Sequence, residues 1–222
     1  MSYLLRLVVP DRPGILGAVA SALGEAGVDI VSLDVLERGN GVAVDDVVVD
    51  LPRDRLPDSL ITAAHTVPGV TVESLRPFAG PLDTHRELEL LEALARAAEG
   101  TSAKLLAAEL PRVFHSGWAV VLTTADDGSR EVAEASEAAP SFDGLPLPWM
   151  PLATPRLLPS EDEWLPERWR DMAIEMMAVP YGDPGCGVVL GRSGGPAFRR
   201  SELLRLVHLI GIASTVASLP PA

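Results

Sequence analysis

The amino-acid sequence predicts an α+β protein with two parts. Strand and helix patterns alternate in the order β-α-β-β-α-β over residues 3–76. The composition then shifts to Gly and Pro in "PFAGPLDTHR" at residues 77–86, which is typical of a domain boundary. Beyond this stretch the strands and helices follow a different order. The second part is therefore not a repeat of the first.

The first three elements form a strand, a helix and a second strand. Residues 3–9 are apolar and favour a buried strand, and residues 13–26 carry an apolar stripe at helical spacing. Pro13 suits a first helical turn, Asp11 is placed to cap that turn, and Gly27 suits the position just after a helix. The second strand is expected over residues 28–37.

The rest of the first part completes a small sandwich. "GNG" at residues 39–41 predicts a hairpin turn, and the Val-rich residues 42–51 predict a third strand. A second helix is expected within residues 53–67, and "VTVESL" at 70–75 predicts a fourth strand. This βαββαβ order predicts a ferredoxin-like sandwich, with two helices on one face of a four-stranded antiparallel sheet.

The second part predicts an antiparallel sheet with helices on one side. Two helices open it, and the first is expected to bury a stripe of Leu88, Leu91, Leu94 and Ala95. Residues 139–168 are rich in Pro and predict loop and short helical turns. Helices are expected within 83–100, 101–115 and 199–219, and strands at 117–125, 130–138, 172–181 and 186–192. We therefore predict a first domain over residues 1–78, a linker over 79–84 and a second domain over 85–222.

Composition excludes several classes of function. The formal net charge of −13 argues against binding to nucleic acid or to an anionic membrane surface. The sequence has neither a phosphate-binding P-loop motif nor the H-E-x-x-H or C-x-x-C patterns of metal sites. Cys186 is the single cysteine, so no internal disulfide can form. With no signal-peptide pattern and no long apolar run, we expect a cytoplasmic protein.

Residues 3–76 resemble the ACT domain, a ferredoxin-like module that senses amino acids in metabolic enzymes and regulators. The resemblance rests on "DRPGIL" after the first strand and "AGVDIVSLDV" at the start of the second. In liganded members of that family two domains lie side by side, with the amino acid between this loop of one and the start of the second strand of the other. Carried onto this chain, the resemblance nominates Asp11, Arg12, Pro13, Gly14, Ile15, Leu16 and Asp29.

The chemistry of this loop suits a ligand, with one departure from the family. Exposed N–H groups at a helix start favour a carboxylate, and Gly14 has no side chain to block a close approach. The second-strand position often holds Asn in the family, whereas Asp29 can only accept hydrogen bonds at neutral pH. An Asp11–Asp29 pair would attract an ammonium group and repel a carboxylate. The same residues also fit a structural role, as a helix cap, a packing glycine and a solvated strand end.

Residues 84–219 are similar to a GAF domain. The similarity is carried by the order of elements and by the ending "MAVPYGDPGCGVVLGRSGGPAFRRSELLRLVHLIGIAS". It implies an antiparallel sheet with helices on one side and, in many such domains, a small-molecule pocket over the other. Trp149, Trp164 and Trp169 could line such a pocket or pin the Pro-rich segment to the core. We expect no catalytic role for Cys186, because the sequence places no His or second Cys near it.

Together these features predict a regulatory protein rather than an enzyme. The leading hypothesis is a homodimer that binds a small molecule, of the amino acid class, at the interface of two ACT-like domains. It needs no cofactor, no metal and no catalytic residues. Two alternatives remain open: a structural dimerisation or interaction protein without a ligand in the ACT-like half, and a sensor whose ligand binds the GAF-like half. An unrecognised enzyme that uses the second domain is a further rival.

Overall fold

The computed structural model describes residues 1–78, 85–98, 100–125 and 128–217. The chain divides into two compact units, Met1–Leu82 and Asp83–Ala222. The linker expected at residues 79–84 lies outside the described residues, as do the last two residues assigned to the closing helix.

The first unit has the expected βαββαβ order. Its elements are β1 (Ser2–Pro10), α1 (Ile15–Glu25), β2 (Asp29–Gly39), β3 (Val42–Asp50), α2 (Asp58–His65) and β4 (Thr71–Pro77). The four strands form one antiparallel sheet in the order β2-β3-β1-β4. This confirms the ferredoxin-like sandwich, with β2 and β4 at the two edges.

One face of this sheet carries the helices. Alternate residues of β1 and β3 point to that face, among them Leu5, Leu7, Val47 and Val49, and they pack with the apolar stripe of α1. On the opposite face Arg6 and Asp46 form a buried ion pair with two contacts of 2.8 Å. Adjacent residues of one strand therefore point alternately into the apolar core under the helices and toward the opposite face of the sheet.

The position of β3 corrects part of one expectation. Its Val-rich sequence suggested a strand able to pair or to pack across a two-fold axis between two copies of the chain. In the structure β3 is internal, because it pairs with β1 on one side and β2 on the other. If two copies of the chain pair along this side of the sheet, they pair through the edge strand β2.

The second unit contains five strands and four helices among its described residues. They are α3 (Arg86–Arg96), α4 (Ser102–Val113), β5 (Trp118–Thr124), β6 (Arg130–Ala135), β7 (Arg156–Leu158), α5 (Glu167–Asp171), β8 (Glu175–Tyr181), β9 (Asp183–Arg192) and α6 (Arg200–Ala217). The sheet is antiparallel in the order β6-β5-β9-β8-β7. β7 was not predicted from the sequence, because it is short and lies in the Pro-rich segment. α5 begins at the end of that segment, where short helical turns were expected.

Helices α3, α4 and α6 cover one face of the second sheet. Their buried side chains form a core with inward residues of β5, β8 and β9. The stripe expected on α3 is partly wrong: Leu90 and Leu94 are buried, whereas Leu88 is exposed. Arg192 and Glu202 form a buried ion pair of 2.8 Å in this unit, and the Arg192 guanidinium lies 3.8 Å from the centre of the Phe198 ring.

The other face of the second sheet is filled by aromatic side chains. Trp118, Phe142 and Trp169 pack edge-to-face with centroid separations of 5.2–6.3 Å. Trp149 packs in the same manner on Trp164 at 5.9 Å. These contacts favour the interpretation in which the tryptophans pin the Pro-rich segment to the core.

Candidate functional site

The loop after β1 is shaped by a left-handed glycine. Gly14 has φ +84° and immediately precedes α1, and beyond its chain neighbours no described residue comes within 4 Å of the position that a Cβ would take. Its carbonyl accepts the first helical hydrogen bond, from the N–H of Ala18 at 3.0 Å. A positive φ makes Gly the favoured residue here, and the open space beside it leaves the helix start accessible.

The structure corrects two expectations about this loop. Asp11 was expected to cap the helix, but the residue in the capping position is Gly14, and the described residues give α1 no side-chain cap. Pro13 was expected in the first turn, but α1 begins at Ile15, two residues later. The N–H groups of Leu16 and Gly17 therefore have no acceptor within the helix, which is the property that favours an anion at a helix start.

A neighbouring hairpin tip adds a cation to the loop. Asn40 and Gly41 both have positive φ, as in the tight two-residue hairpin that "GNG" predicted. The backbone N–H of Asp11 donates to the Gly41 carbonyl at 2.9 Å, so the hairpin and the loop are joined. The guanidinium of Arg38, mostly exposed, lies 3.9 Å from the Asp11 carboxylate. This loose contact leaves Arg38 available to a second anion.

A buried carboxylate lies near the same end of the sheet. Asp45 is 1% exposed, and neither of its carboxylate oxygens has a hydrogen-bond partner in the part of the chain that the structure describes. Desolvation raises the pKa of Asp45, Arg38 opposes this, and the negative charges of Asp46 and Asp11 add to it. Neither Asp45 nor Arg38 was predicted as a site residue from the sequence.

Asp29 lies at the opposite end of the sheet. Asp29 is the first residue of β2 and pairs with Asp50, the last residue of β3. Asp50 in turn pairs with Ser2 at the start of β1. The loop of residues 11–14 follows the other end of β1, about 27 Å away for a nine-residue strand. Within one chain, Asp29 and the loop are not brought together.

The remaining nominated residues divide by exposure. Asp11, Arg12, Pro13, Gly14 and Asp29 are exposed, Leu16 is half-buried and Ile15 is buried. Ile15 belongs to the core under α1, so its side chain serves packing. The N-terminal site therefore offers an exposed loop, the start of α1, the guanidinium of Arg38 and the buried carboxylate of Asp45.

The second unit offers a weaker site. A groove of about 200 Å³ lies between α3 and α4 and is lined by both acidic and basic side chains, among them Glu89, Glu109 and Arg112. Cys186 is partly buried, with its Sγ 3.4 Å from Thr123 Oγ1. No group of three or more His, Cys, Asp or Glu side chains that could hold a metal ion occurs among the described residues. No helix in the described ranges is long and apolar enough to span a membrane.

Residues 3–69 match the family model of the ACT domain. No curated protein sequence matches the chain. Similar solved structures include an ACT domain protein from Streptococcus pneumoniae, 16% identical, covering 34% of this chain and 88% of that chain with a TM-score of 0.29. The regulatory subunit of aspartate kinase from Thermus thermophilus, in its ligand-free form, is 23% identical, covering 43% of this chain and 69% of that chain with a TM-score of 0.31.

One further similarity spans almost the whole chain. A bacteriophytochrome, RpBphP3 from the photosynthetic bacterium R. palustris, is 14% identical, covering 97% of this chain and 57% of that chain with a TM-score of 0.42. At such identities and scores, none of these structures identifies a ligand, a partner or an activity for this chain. The GAF-like character of residues 85–222 stays a prediction from the sequence.

Proposed function

Residues 3–69 are an ACT domain, a small-molecule-binding regulatory module, and from this premise we propose that the chain is a non-catalytic sensor. Its ligand belongs to the amino acid class and binds between the ACT domains of two copies. The observation that carries the proposal is the convergence at one end of the sheet of an open helix start, an available guanidinium and a buried carboxylate. An amino acid is a zwitterion, so its binding site needs a group that attracts the carboxylate and a negative group that attracts the ammonium.

The edge strand β2 supplies a reason for two copies. Val31, Leu33 and Val35 are 37–44% exposed along this unpaired edge. Exposed apolar edge strands tend to pair with another chain. A two-fold axis beside β2 would set the two copies of the strand antiparallel. Asp29 at the start of one β2 would then approach the hairpin tip and the loop at the end of the other.

This arrangement resolves the charge conflict in the sequence. Asp11 and Asp29 alone would repel the carboxylate of an amino acid. Arg38 and the free N–H groups at the start of α1 can hold that carboxylate, since guanidinium and helix N-termini both favour anions. Asp29 of the second copy is then left to face the ammonium group or the side chain.

A thermal-shift screen of the wild-type chain against the twenty standard amino acids tests the proposal. Ligand at 100 times its Kd stabilises a protein by about 2.7 kcal/mol, which for domains of this size is a rise in Tm of several degrees. We expect at least one amino acid to produce such a rise, and Arg38→Glu to abolish it. Absence of any shift would instead favour a structural dimerisation protein.

A further inference from the structure

Asp45 breaks the pattern of its own strand. It lies in "VAVDDVVVD", and the alternate residues Ala43, Val47 and Val49 belong to the apolar core under the helices. A carboxylate at that position is desolvated, which is unfavourable unless hydrogen bonds or a cation compensate. Neither oxygen finds a hydrogen bond among the described residues. A residue of this kind lowers the stability of the unliganded fold, so packing alone does not account for it.

The position of Asp45 links it to the loop. Its strand pairs with β1 so that Asp45 faces Leu7, and Pro10, the last residue before the loop, faces Val42. Asp45 is therefore only three residues, about 10 Å along the strand, from the end at which the loop begins. Its side chain is on the same face as Ile15 and Val19 of α1, since all three lie on the helix-covered side of the sheet.

Arg38 and Asp11 complete the arrangement. Arg38 faces Ala43 on β3, two residues from Asp45 and on the same face of the sheet. The charges of both Arg38 and Asp11 act on the Asp45 carboxylate, so the three groups lie within electrostatic range of one another. Among the described residues, Arg38 makes one ion-pair contact, the loose 3.9 Å approach to Asp11. Rotation of Arg38 toward a ligand would weaken its compensation of the Asp45 charge.

We propose that Asp45 is the residue that recognises the ammonium group of the ligand, so that the site selects small molecules that carry a protonated amine beside a carboxylate. This inference rests on the proposed function and adds a specificity determinant to it. The ligand carboxylate lies against Arg38 and the start of α1, and its amine donates to Asp45. A ligand with a hydroxyl or a keto group in place of the amine supplies no positive charge to the buried carboxylate and binds weakly.

The test uses the 222-residue chain and defined probes. The amino acid with the largest thermal shift is compared by calorimetric titration with the 2-hydroxy acid that has the same side chain. We expect the wild type to bind the hydroxy acid at least tenfold more weakly, since its hydroxyl can donate a hydrogen bond but brings no positive charge to the buried carboxylate. Asp45→Asn should weaken the amino acid at least tenfold and reduce the preference for it over the hydroxy acid.

Stability without ligand separates this role from a structural one. Asp45→Asn removes an unpaired buried charge, so we expect the Tm of the unliganded variant to rise. The matched control is Asp46→Asn, the adjacent residue, whose carboxylate pairs with Arg6. This control should lower the Tm. A fall in Tm for Asp45→Asn would assign Asp45 to the structure and overturn the inference.

The failures of the two proposals can be distinguished. If none of the twenty amino acids shifts the wild-type Tm, the proposed function fails and the inference fails with it. If an amino acid binds but its hydroxy acid binds equally well, or Asp45→Asn binds it with unchanged affinity, only the inference is overturned. The comparison of the two probes on the wild type needs no variant, so a folding defect in Asp45→Asn would not leave the question open.

Discussion

Asp45 and Asp46 are neighbours in sequence, but their carboxylates have opposite surroundings. Asp46 makes two contacts of 2.8 Å with Arg6 across the sheet, whereas Asp45 has no hydrogen-bond partner among the described residues. Removing one partner of a buried ion pair costs about 3–5 kcal/mol, whereas neutralising an unpaired buried charge relieves a penalty. The two isosteric substitutions to Asn should therefore change stability in opposite directions.

The gain in the free energy of unfolding that Asp45→Asn produces should depend on pH. Burial raises the folded-state pKa of Asp45 above its ordinary value of 3.8, so near that pH the folded state binds more protons than the unfolded state. The free energy of unfolding of the wild type then falls as pH rises through this range, a loss that the variant avoids. Urea unfolding of both proteins should show a larger advantage for Asp45→Asn at pH 7 than near pH 4. An advantage that is the same at both pH values would contradict this assignment.

Gly14 and Gly17 lie three residues apart and should respond oppositely to Ala. Gly14 has φ +84°, where a side chain costs roughly 1–2 kcal/mol even in open space. Gly17 is an exposed helical residue with nothing within 4 Å of its Cβ position, so Ala should stabilise α1 by about 1 kcal/mol. Denaturant unfolding measures both. Equal effects of the two substitutions would show that the Gly14 backbone is not held in the left-handed region.

At the scale of single residues, the sequence located the loop with its charged residues Asp11 and Arg12, but not the charges that the neighbouring strands bring near it. "DRPG" and "GNG" predicted a turn and a hairpin, because Gly and Asn at those positions have strong backbone preferences. Arg38 and Asp45 were missed, since their importance depends on the register between β2 and β3. Alternation predicts that one Asp of "DD" faces each side of the sheet, but only the structure identifies Asp46 as the one that reaches Arg6.

At the scale of elements, the packing of β9 against β5 in the second unit includes a close contact between Gly191 and Trp118. A Cβ on Gly191 would lie 2.0 Å from the Trp118 ring, because the indole packs directly on the Gly191 backbone. Gly191→Ala should therefore displace Trp118 and destabilise the second unit by about 1–3 kcal/mol or more. Near-ultraviolet circular dichroism and thermal unfolding report both effects.

The control for this substitution is Gly211→Ala on α6. Outside the backbone of α6 itself, no described residue comes within 4 Å of the Cβ position of Gly211, so Ala there should leave stability unchanged or raise it. Similar effects of the two substitutions would contradict the packing of Trp118 on Gly191. The sequence showed Gly191 within a strand but could not show that a tryptophan occupies the space a side chain would need.

Elements with strong periodicity were predicted well and short ones were not. All four strands and both helices of the first unit occur in the expected order, because their apolar spacing and turn residues agree. The three-residue β7 and five-residue α5 are too short to produce a period. The Pro-rich segment next to them was expected as irregular, but its role as the cover of a sheet face depends on long-range contacts of Phe142, Trp149 and Trp169.

At the scale of the whole molecule, we expect β2 to control association. Leu33 and Val35 are exposed on this edge strand, and lysine on an edge opposes pairing between chains. The double variant Leu33→Lys, Val35→Lys should therefore elute as a monomer, whereas the wild type should show twice the mass of one chain by light scattering. Leu56→Lys, at a 76% exposed position before α2, is the matched control and should remain a dimer. A double variant that stays dimeric would place the interface elsewhere.

The most direct test of a site shared between two copies is complementation. Arg38→Glu disables the loop side of each site and Asp29→Lys disables the β2 side, and both positions are exposed. Co-expression with different affinity tags yields a mixed dimer with one doubly disabled site and one intact site. We expect neither variant alone to bind the amino acid identified in the screen, and the mixed dimer to bind one ligand with wild-type affinity. A mixed dimer as inactive as its parents, or an Asp29→Lys homodimer that binds like the wild type, would contradict a ligand held between two ACT domains.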